Sequence, residues 1–277
     1  MRTVTLPGGE RVPALGMGSW SMGEIPAHRR DEIATVRLGV ELGTTLIDTA
    51  EMYGEGLTEQ FLGEALSGLR ERVFLVSKVY PHNASRRGVQ HACEQSLRRL
   101  RTDRLDLYLL HWRGREPLAE TIAGFEDLRA AGKIRYWGVS NFDTDDMEEL
   151  FALPGGDRCA VNQVLYNLTR RGPEFDLLPW MRAHDVPLMA YSPIEQGRVA
   201  NGGAIAAIAA QRGVSHWQVA LAWVLRRPDA IAIPQTSKIA HLRLNYEAGS
   251  LVLSDEELAQ LDSQFAPPAR KRALEMI

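Results

Sequence analysis

Leu46-Ile47-Asp48-Thr49-Ala50-Glu51-Met52-Tyr53-Gly54 reads as the end of a buried strand that runs out into a loop. Leu46 and Ile47 are its last apolar residues, Asp48 closes it, and Tyr53 follows just before a glycine. Alone the stretch proves little, because an Asp at a strand end is commonly a turn former. Two later apolar runs end in the same manner. Val73-Phe74-Leu75-Val76-Ser77 is followed by Lys78, and Leu107-Tyr108-Leu109-Leu110 by His111. A carboxylate, a phenol, an ammonium and an imidazole therefore sit at or just past three successive strand ends. They can act together only in a fold that gathers those ends.

Upstream of this stretch, Val4 and Val12 flank Pro7-Gly8-Gly9, the pattern of a short hairpin. A short strand over 14–18 and a helix over 30–42 follow, with Ile33, Val36 and Val40 at helical spacing and Gly43 as the stop. Downstream, a helix over 58–69 leads to the strand that ends at Lys78. Ser85 caps a helix whose Val89, Cys93, Leu97 and Leu100 share one face. The strand over 105–110 precedes a helix over 118–131. Further strands are expected at 136–139, 160–163, 186–190 and 230–233, separated by helices near 144–151, 175–184 and 219–225. Ser215-x-x-Gln218 and Ser254-x-x-Glu257 have the capping-box pattern, and 238–248 is helical between them.

Counted from residue 14, eight short apolar strands alternate with helices. Most are continuous apolar runs, as parallel strands buried on both faces require. This pattern predicts a (β/α)8 TIM barrel with an N-terminal β-hairpin, one domain over 1–277. A doubly wound open sheet is the alternative, but Gly16-x-Gly18 has no third glycine at fingerprint spacing.

A 45% hydrophobic content permits a large core, and a formal charge of -3 argues against nucleic acid as a partner. The basic run Arg98-Arg99-Leu100-Arg101 falls where a helix ends and its dipole stabilises cations. No apolar run has membrane-spanning length, and the first residues lack the apolar segment of a signal peptide. Cys93 and Cys159 form no framework. A cytoplasmic setting with no membrane partner is expected.

In a (β/α)8 barrel, chemistry sits at the C-terminal ends of the strands. That rim carries Asp48, Lys78, His111, Ser140, Asn141, Gln163, Tyr191 and the segment after Pro234. A polar residue at one strand end is ordinarily a cap, but several ionisable groups on one mouth need a purpose. The set suits proton donation to a carbonyl oxygen. A phenol carries its proton at neutral pH, and a nearby ammonium lowers its pKa. A carboxylate holds that ammonium, and an imidazole can orient the carbonyl. No Gly-x-Ser-x-Gly elbow and no His pair at zinc spacing occurs, so neither a hydrolase nor a metal is expected.

Asp48-Thr49-Ala50-x-x-Tyr53-Gly54, Lys78, His111-Trp112, Gly138-Val139-Ser140-Asn141-Phe142, Asn162-Gln163 and Ile233-Pro234 together resemble the aldo-keto reductases, in order and over nearly the whole chain. The short bacterial members of methylglyoxal reductase type are the nearest in pattern. The resemblance implies a nicotinamide cofactor bound without a Rossmann domain. It makes Tyr53 the proton donor, Lys78 and Asp48 its activators, and His111 the carbonyl orienter. Ser140, Asn141 and Gln163 are then expected to hold the carboxamide and Tyr191 to stack on the nicotinamide. Ser192, Thr236, Ser237 and Lys238 are assigned to the phosphates and the adenosine end, with Ser19, Trp20, His241 and Asn245 also on the cofactor. Many members place a Lys and an Arg where this chain has Gln235 and His241, which leaves Lys238 as the first candidate reader of a 2′-phosphate and Arg243 as the second.

Trp20, Tyr80 and Trp112 are expected to line the substrate pocket. The loop over 112–118 and the tail are short, which implies a shallow mouth suited to small or varied carbonyls rather than steroids. The expected activity is NADPH-dependent reduction of aldehydes or ketones by a monomer, with NADH as a possible cofactor. An NAD-linked alcohol dehydrogenase and a cofactor-sensing regulatory subunit are the alternatives.

Overall fold

The computed structural model describes residues 2–277. β1 (Thr3–Thr5) and β2 (Arg11–Pro13) pair antiparallel with Val4 opposite Val12, and both valines are buried. The turn between them uses Gly9 at a φ of 84°, a conformation that favours glycine. Glu10, beside β2, pairs at 2.6 Å with Arg135, at the N-terminal end of the barrel strand Ile134–Ser140. The hairpin therefore lies by the N-terminal ends of the barrel strands, away from the mouth.

The rest of the chain alternates strand and helix. It runs β3 (Met17–Gly18), α1 (Arg29–Leu42), β4 (Leu46–Asp48), α2 (Leu57–Ala65), β5 (Phe74–Val79), α3 (Arg86–Leu100), β6 (Leu105–Leu110) and α4 (Leu118–Ala130). It continues through β7 (Ile134–Ser140), α5 (Thr144–Phe151), β8 (Asn162–Leu165), α6 (Leu177–Ala183), β9 (Leu188–Tyr191), α7 (Gly203–Arg212), α8 (His216–Leu225) and β10 (Ala230–Ala232). α9 (Ile239–Ala248) and α10 (Asp255–Gln264) end it. β3 to β10 form one parallel sheet in sequential order. The first and last strands meet through Gly16 N–H to Ala232 O at 2.9 Å and Gly18 N–H to Pro234 O at 3.1 Å. The sheet thus curls round on itself as an eight-stranded parallel barrel. β5 and β6 are buried along their whole length, because their inner faces fill the barrel and their outer faces meet helices.

Local signals placed three of the helix starts. Ser85, Ser215 and Ser254 each accept a backbone N–H of the following turn, the last two as full capping boxes. Several boundaries differ by a few residues from the sequence expectation, β5 for example running on past Lys78 to Val79, and two of the differences have a clear cause. The helix expected to reach residue 69 ends at Ala65, because Gly68 turns left-handed at a φ of 77°. The strand expected over 160–163 is Asn162–Leu165, because β9 pairs Asn162 with Leu188 and carries the ladder on to Leu165 against Tyr191. Gln163 accordingly stands inside its strand rather than at its end.

Candidate active site

Lys78 is fully buried, and its position in β5 aims it inside the barrel. Nζ donates to Asp48 Oδ2 at 2.8 Å, to Thr49 O at 2.8 Å and to Tyr53 Oη at 3.0 Å. An ammonium has three N–H donors, so Lys78 is saturated. The other Asp48 oxygen, Oδ1, accepts Gln163 Nε2 at 2.8 Å. A buried ion pair is tolerable only when its remaining valences are met in this way. Ser19 Oγ donates to the Asp48 carbonyl at 2.8 Å, joining the ends of β3 and β4.

Tyr53 follows β4 on a tight turn. Its ring lies under Lys78 Nζ, 4.7 Å from centroid to nitrogen, and edge-on to the His111 ring at 6.0 Å. Because Lys78 donates to the phenol oxygen, the phenol's own proton must point elsewhere, and Tyr53 and His111 both face the cavity. Burial raises the Tyr53 pKa; the charge of Lys78 lowers it, Asp48 raises it, and the net direction is upward. The expected lowering by the ammonium is thus present but outweighed by desolvation. Burial disfavours the Lys78 charge, yet Asp48 and Tyr53 more than compensate and raise its pKa. Burial, and then the charge of Lys78, push His111 down to about 2, so its imidazole is neutral.

The rim beyond this cluster is cross-linked. Ser140 Oγ donates to Gln163 O at 2.8 Å. Asn141 adopts a φ of 57°, an uncommon conformation that Asn tolerates better than most residues. Its Nδ2 donates to His111 O at 3.1 Å, and its Oδ1 accepts the Tyr191 hydroxyl at 3.0 Å. A cavity of about 810 Å³ opens from Tyr53 and His111 past Tyr191 and Ser192 to Thr236, Ser237, Lys238, His241 and Asn245. Ser19, Trp20, Trp112, Ser140, Asn141 and Gln163 line it as well.

Two expectations about the pocket need correction. Tyr80 is not among the cavity's lining residues. The chain turns away after β5, and the Tyr80 ring packs edge-on to Trp112 at 5.9 Å and stacks on His82 at 4.7 Å. It backs a pocket wall instead of forming one. Nor is the mouth left open by a short tail, because Met276 and Ile277 line the cavity. Lys271 holds this segment to Asp143 at 2.9 Å and Asp176 at 2.5 Å, and Glu275 meets Arg170 at 2.6 Å.

The sequence reading also missed Met52, Gln196 and Trp217 as lining residues. Trp217 is 38% exposed, and its indole N–H donates to Gly197 O at 3.1 Å across the cavity's far side. A tryptophan inside the first turn after a capping box was the available signal. Met52 and Gln196 carried none, since each lies in a turn with no periodicity.

A parallel barrel with an acid–ammonium–carboxylate cluster at its mouth defines a class of barrel oxidoreductases, and comparison with known proteins agrees. Residues 14–265 match the aldo/keto reductase family, and the chain belongs to that family. It is 52% identical to methylglyoxal reductase YeaE of Escherichia coli, over 100% of this chain and 99% of that protein. It is 31% identical to glyoxal reductase of Bacillus subtilis, over 94% of this chain and 92% of the relative. The crystal structure of an aldo-keto reductase from Klebsiella pneumoniae in complex with NADPH superposes with a TM-score of 0.97 at 51% identity, covering 100% of this chain and 99% of that one. No helix among the described residues is long and apolar enough to cross a membrane.

Proposed function

We propose that this chain is an NADPH-dependent carbonyl reductase of small aldehydes and ketones, with methylglyoxal among its substrates. One observation carries the reading. Lys78 spends its third proton on the phenol oxygen of Tyr53, which leaves the phenol's proton to be given to a ligand in the cavity. An acid so placed contributes a rate factor of roughly 10²–10⁴ to carbonyl reduction.

The residues present fit a nicotinamide dinucleotide. Ser140, Asn141 and Gln163 put hydroxyl and amide groups beside the acid, and Lys238 puts an ammonium at the other end of a cavity of about 810 Å³. When bound, that cofactor supplies hydride. The protein's own residues do the rest. Tyr53 gives its proton to the carbonyl oxygen. Lys78, kept charged by Asp48, stabilises the phenolate that remains. Neutral His111 holds the carbonyl oxygen by a hydrogen bond without competing as an acid. Trp20, Trp112 and Met276 surround the carbonyl's substituent, and this apolar wall suits a small or flat group. Methylglyoxal is supported by the name of one relative, the related dicarbonyl glyoxal by that of a second, and NADPH by the ligand of a third. We further propose that residues 1–277 act as one domain, as a monomer in the cytoplasm.

The test is loss of nicotinamide absorbance with NADPH or NADH over methylglyoxal, an aromatic aldehyde and a steroid ketone. Turnover of the first two with NADPH is expected. NADPH binding without turnover of any carbonyl would favour a sensor, and preference for NADH with alcohols would favour a dehydrogenase.

A further inference from the structure

We propose that Glu51 is a positioning residue, a clasp that fixes how far Tyr53 stands from Lys78; this rests on the carbonyl-reductase reading above. Glu51 lies two residues before Tyr53, and Tyr80 two residues after Lys78. The Glu51 N–H donates to Lys78 O at 3.3 Å, and its Oε1 accepts the Tyr80 N–H at 2.7 Å. One residue therefore ties the turn that carries the phenol to the strand end that carries the ammonium, once through its backbone and once through its side chain. Asn83 Nδ2 shares the same carboxylate oxygen at 3.1 Å.

The clasp is itself anchored from outside the barrel. Glu51 Oε2 stands 4.0 Å from Arg99 Nη2. Arg99 Nε donates to Glu59 Oε2 at 2.6 Å, and Glu59 Oε1 accepts Ser77 Oγ at 2.6 Å. Ser77 precedes Lys78 in β5, and side chains alternate along a strand, so it faces the helices while Lys78 faces the barrel. Lys78 is thus held on both flanks, through Ser77 to α2 and through Tyr80 to Glu51. Arg99 belongs to the basic run at the end of α3, so part of that run serves this network and not only the helix dipole.

The turn needs such an anchor. Directly after Tyr53, Gly54, Glu55 and Gly56 have φ of 55°, 52° and 91°. Three left-handed residues in succession, one of them not glycine, persist only where the surroundings over-determine them. Neither Glu51 nor Glu59 lines the cavity, so both act through geometry and not by touching a ligand.

Glu51→Ala and Glu51→Gln, each compared with wild type, test the clasp. In Glu51→Ala, kcat for NADPH-driven reduction of methylglyoxal should fall about 10- to 100-fold, the scale of a small misplacement of a reacting group. KM and the NADPH Kd should stay close to wild type. The basic limb of the kcat profile should move to higher pH, because a displaced phenol loses the lysine's help. Glu51→Gln keeps an oxygen facing the Tyr80 N–H and should retain most of kcat. Hydrogen exchange at the Tyr80 amide, which reads the clasp without turnover, should quicken in Glu51→Ala and not in Glu51→Gln. The proposal is overturned if Glu51→Ala keeps kcat while losing only thermal stability, or if Glu51→Gln is as slow as Glu51→Ala. Unprotected exchange at Tyr80 in wild type overturns the clasp alone. A wild type that binds NADPH but reduces no carbonyl removes the functional reading, and the clasp's catalytic purpose with it.

Discussion

Gln163 Nε2 donates to Asp48 Oδ1 at 2.8 Å, taking the carboxylate oxygen that Lys78 leaves free. The two residues are 115 positions apart in the chain. Their contact makes an amide on the cavity wall part of the same buried network as Lys78 and Tyr53. Asp48 is 1% exposed and Lys78 wholly buried, so the pair is tolerated only because its remaining hydrogen-bonding valences are met.

Tyr53→Phe removes one hydroxyl and leaves the ring's contact with Lys78. The fold and the NADPH Kd should survive, while kcat for reduction falls by roughly 10²–10⁴. Turnover near that of wild type would take Tyr53 out of the mechanism.

Lys78→Met keeps the stem but strands the Asp48 carboxylate in the core. Breaking a buried pair in this way costs about 3–5 kcal/mol, read as a lower urea midpoint. The pH dependence follows from sign. Lys78 and Tyr53 both titrate above their ordinary values in the folded chain, so their contribution is complete below about pH 10 and is lost as pH rises through the folded values. Wild type should therefore lose stability at alkaline pH, and Lys78→Met should lose less. A variant with unchanged stability and unchanged alkaline behaviour would contradict the pairing.

His111 has the opposite window. Its folded value of about 2 lies below the usual 6.5, so between the two the unfolded chain takes up a proton that the folded chain refuses. Stability should fall as pH drops through that range, by at most roughly 1.4 kcal/mol per unit. Urea titrations of wild type and His111→Asn at neutral and mildly acid pH compare the slopes. Equal slopes would mean that His111 is not held neutral by burial.

Lys238 begins α9 at the far end of the cavity, where its backbone N–H is bound by Thr236 Oγ1 at 3.1 Å. A 2′-phosphate carries close to ~2 negative charges, and a charged donor is its natural partner. Lys238→Ala should raise the NADPH KM and leave the NADH KM near wild type. The preference should also weaken with salt, since this end of the site is open to solvent. An unchanged NADPH/NADH ratio would show that another group reads the phosphate.

Much of this protein was determined by short-range sequence. Helix starts at Ser85, Ser215 and Ser254 need only a hydroxyl and the next turn, and alternating apolar runs and helices specify a parallel sheet because parallel strands require crossovers, with eight such units pointing to a barrel. The strand ends then list Asp48, Lys78, His111 and Tyr191 on one rim before any coordinates are known. Tertiary structure alone decided the rest. The register of β8 came from β9, which drew Gln163 into its strand and onto Asp48. The upward shift of Tyr53 came from burial, which no list of neighbouring charges contains. Tyr80 left the cavity through its packing on Trp112, and Met276 entered it through contacts such as Lys271 with Asp143, 128 positions apart. Local chemistry chooses elements because its partners lie within a turn or two of the chain. Burial, register and the closing of a pocket are set by residues that only the folded barrel brings together.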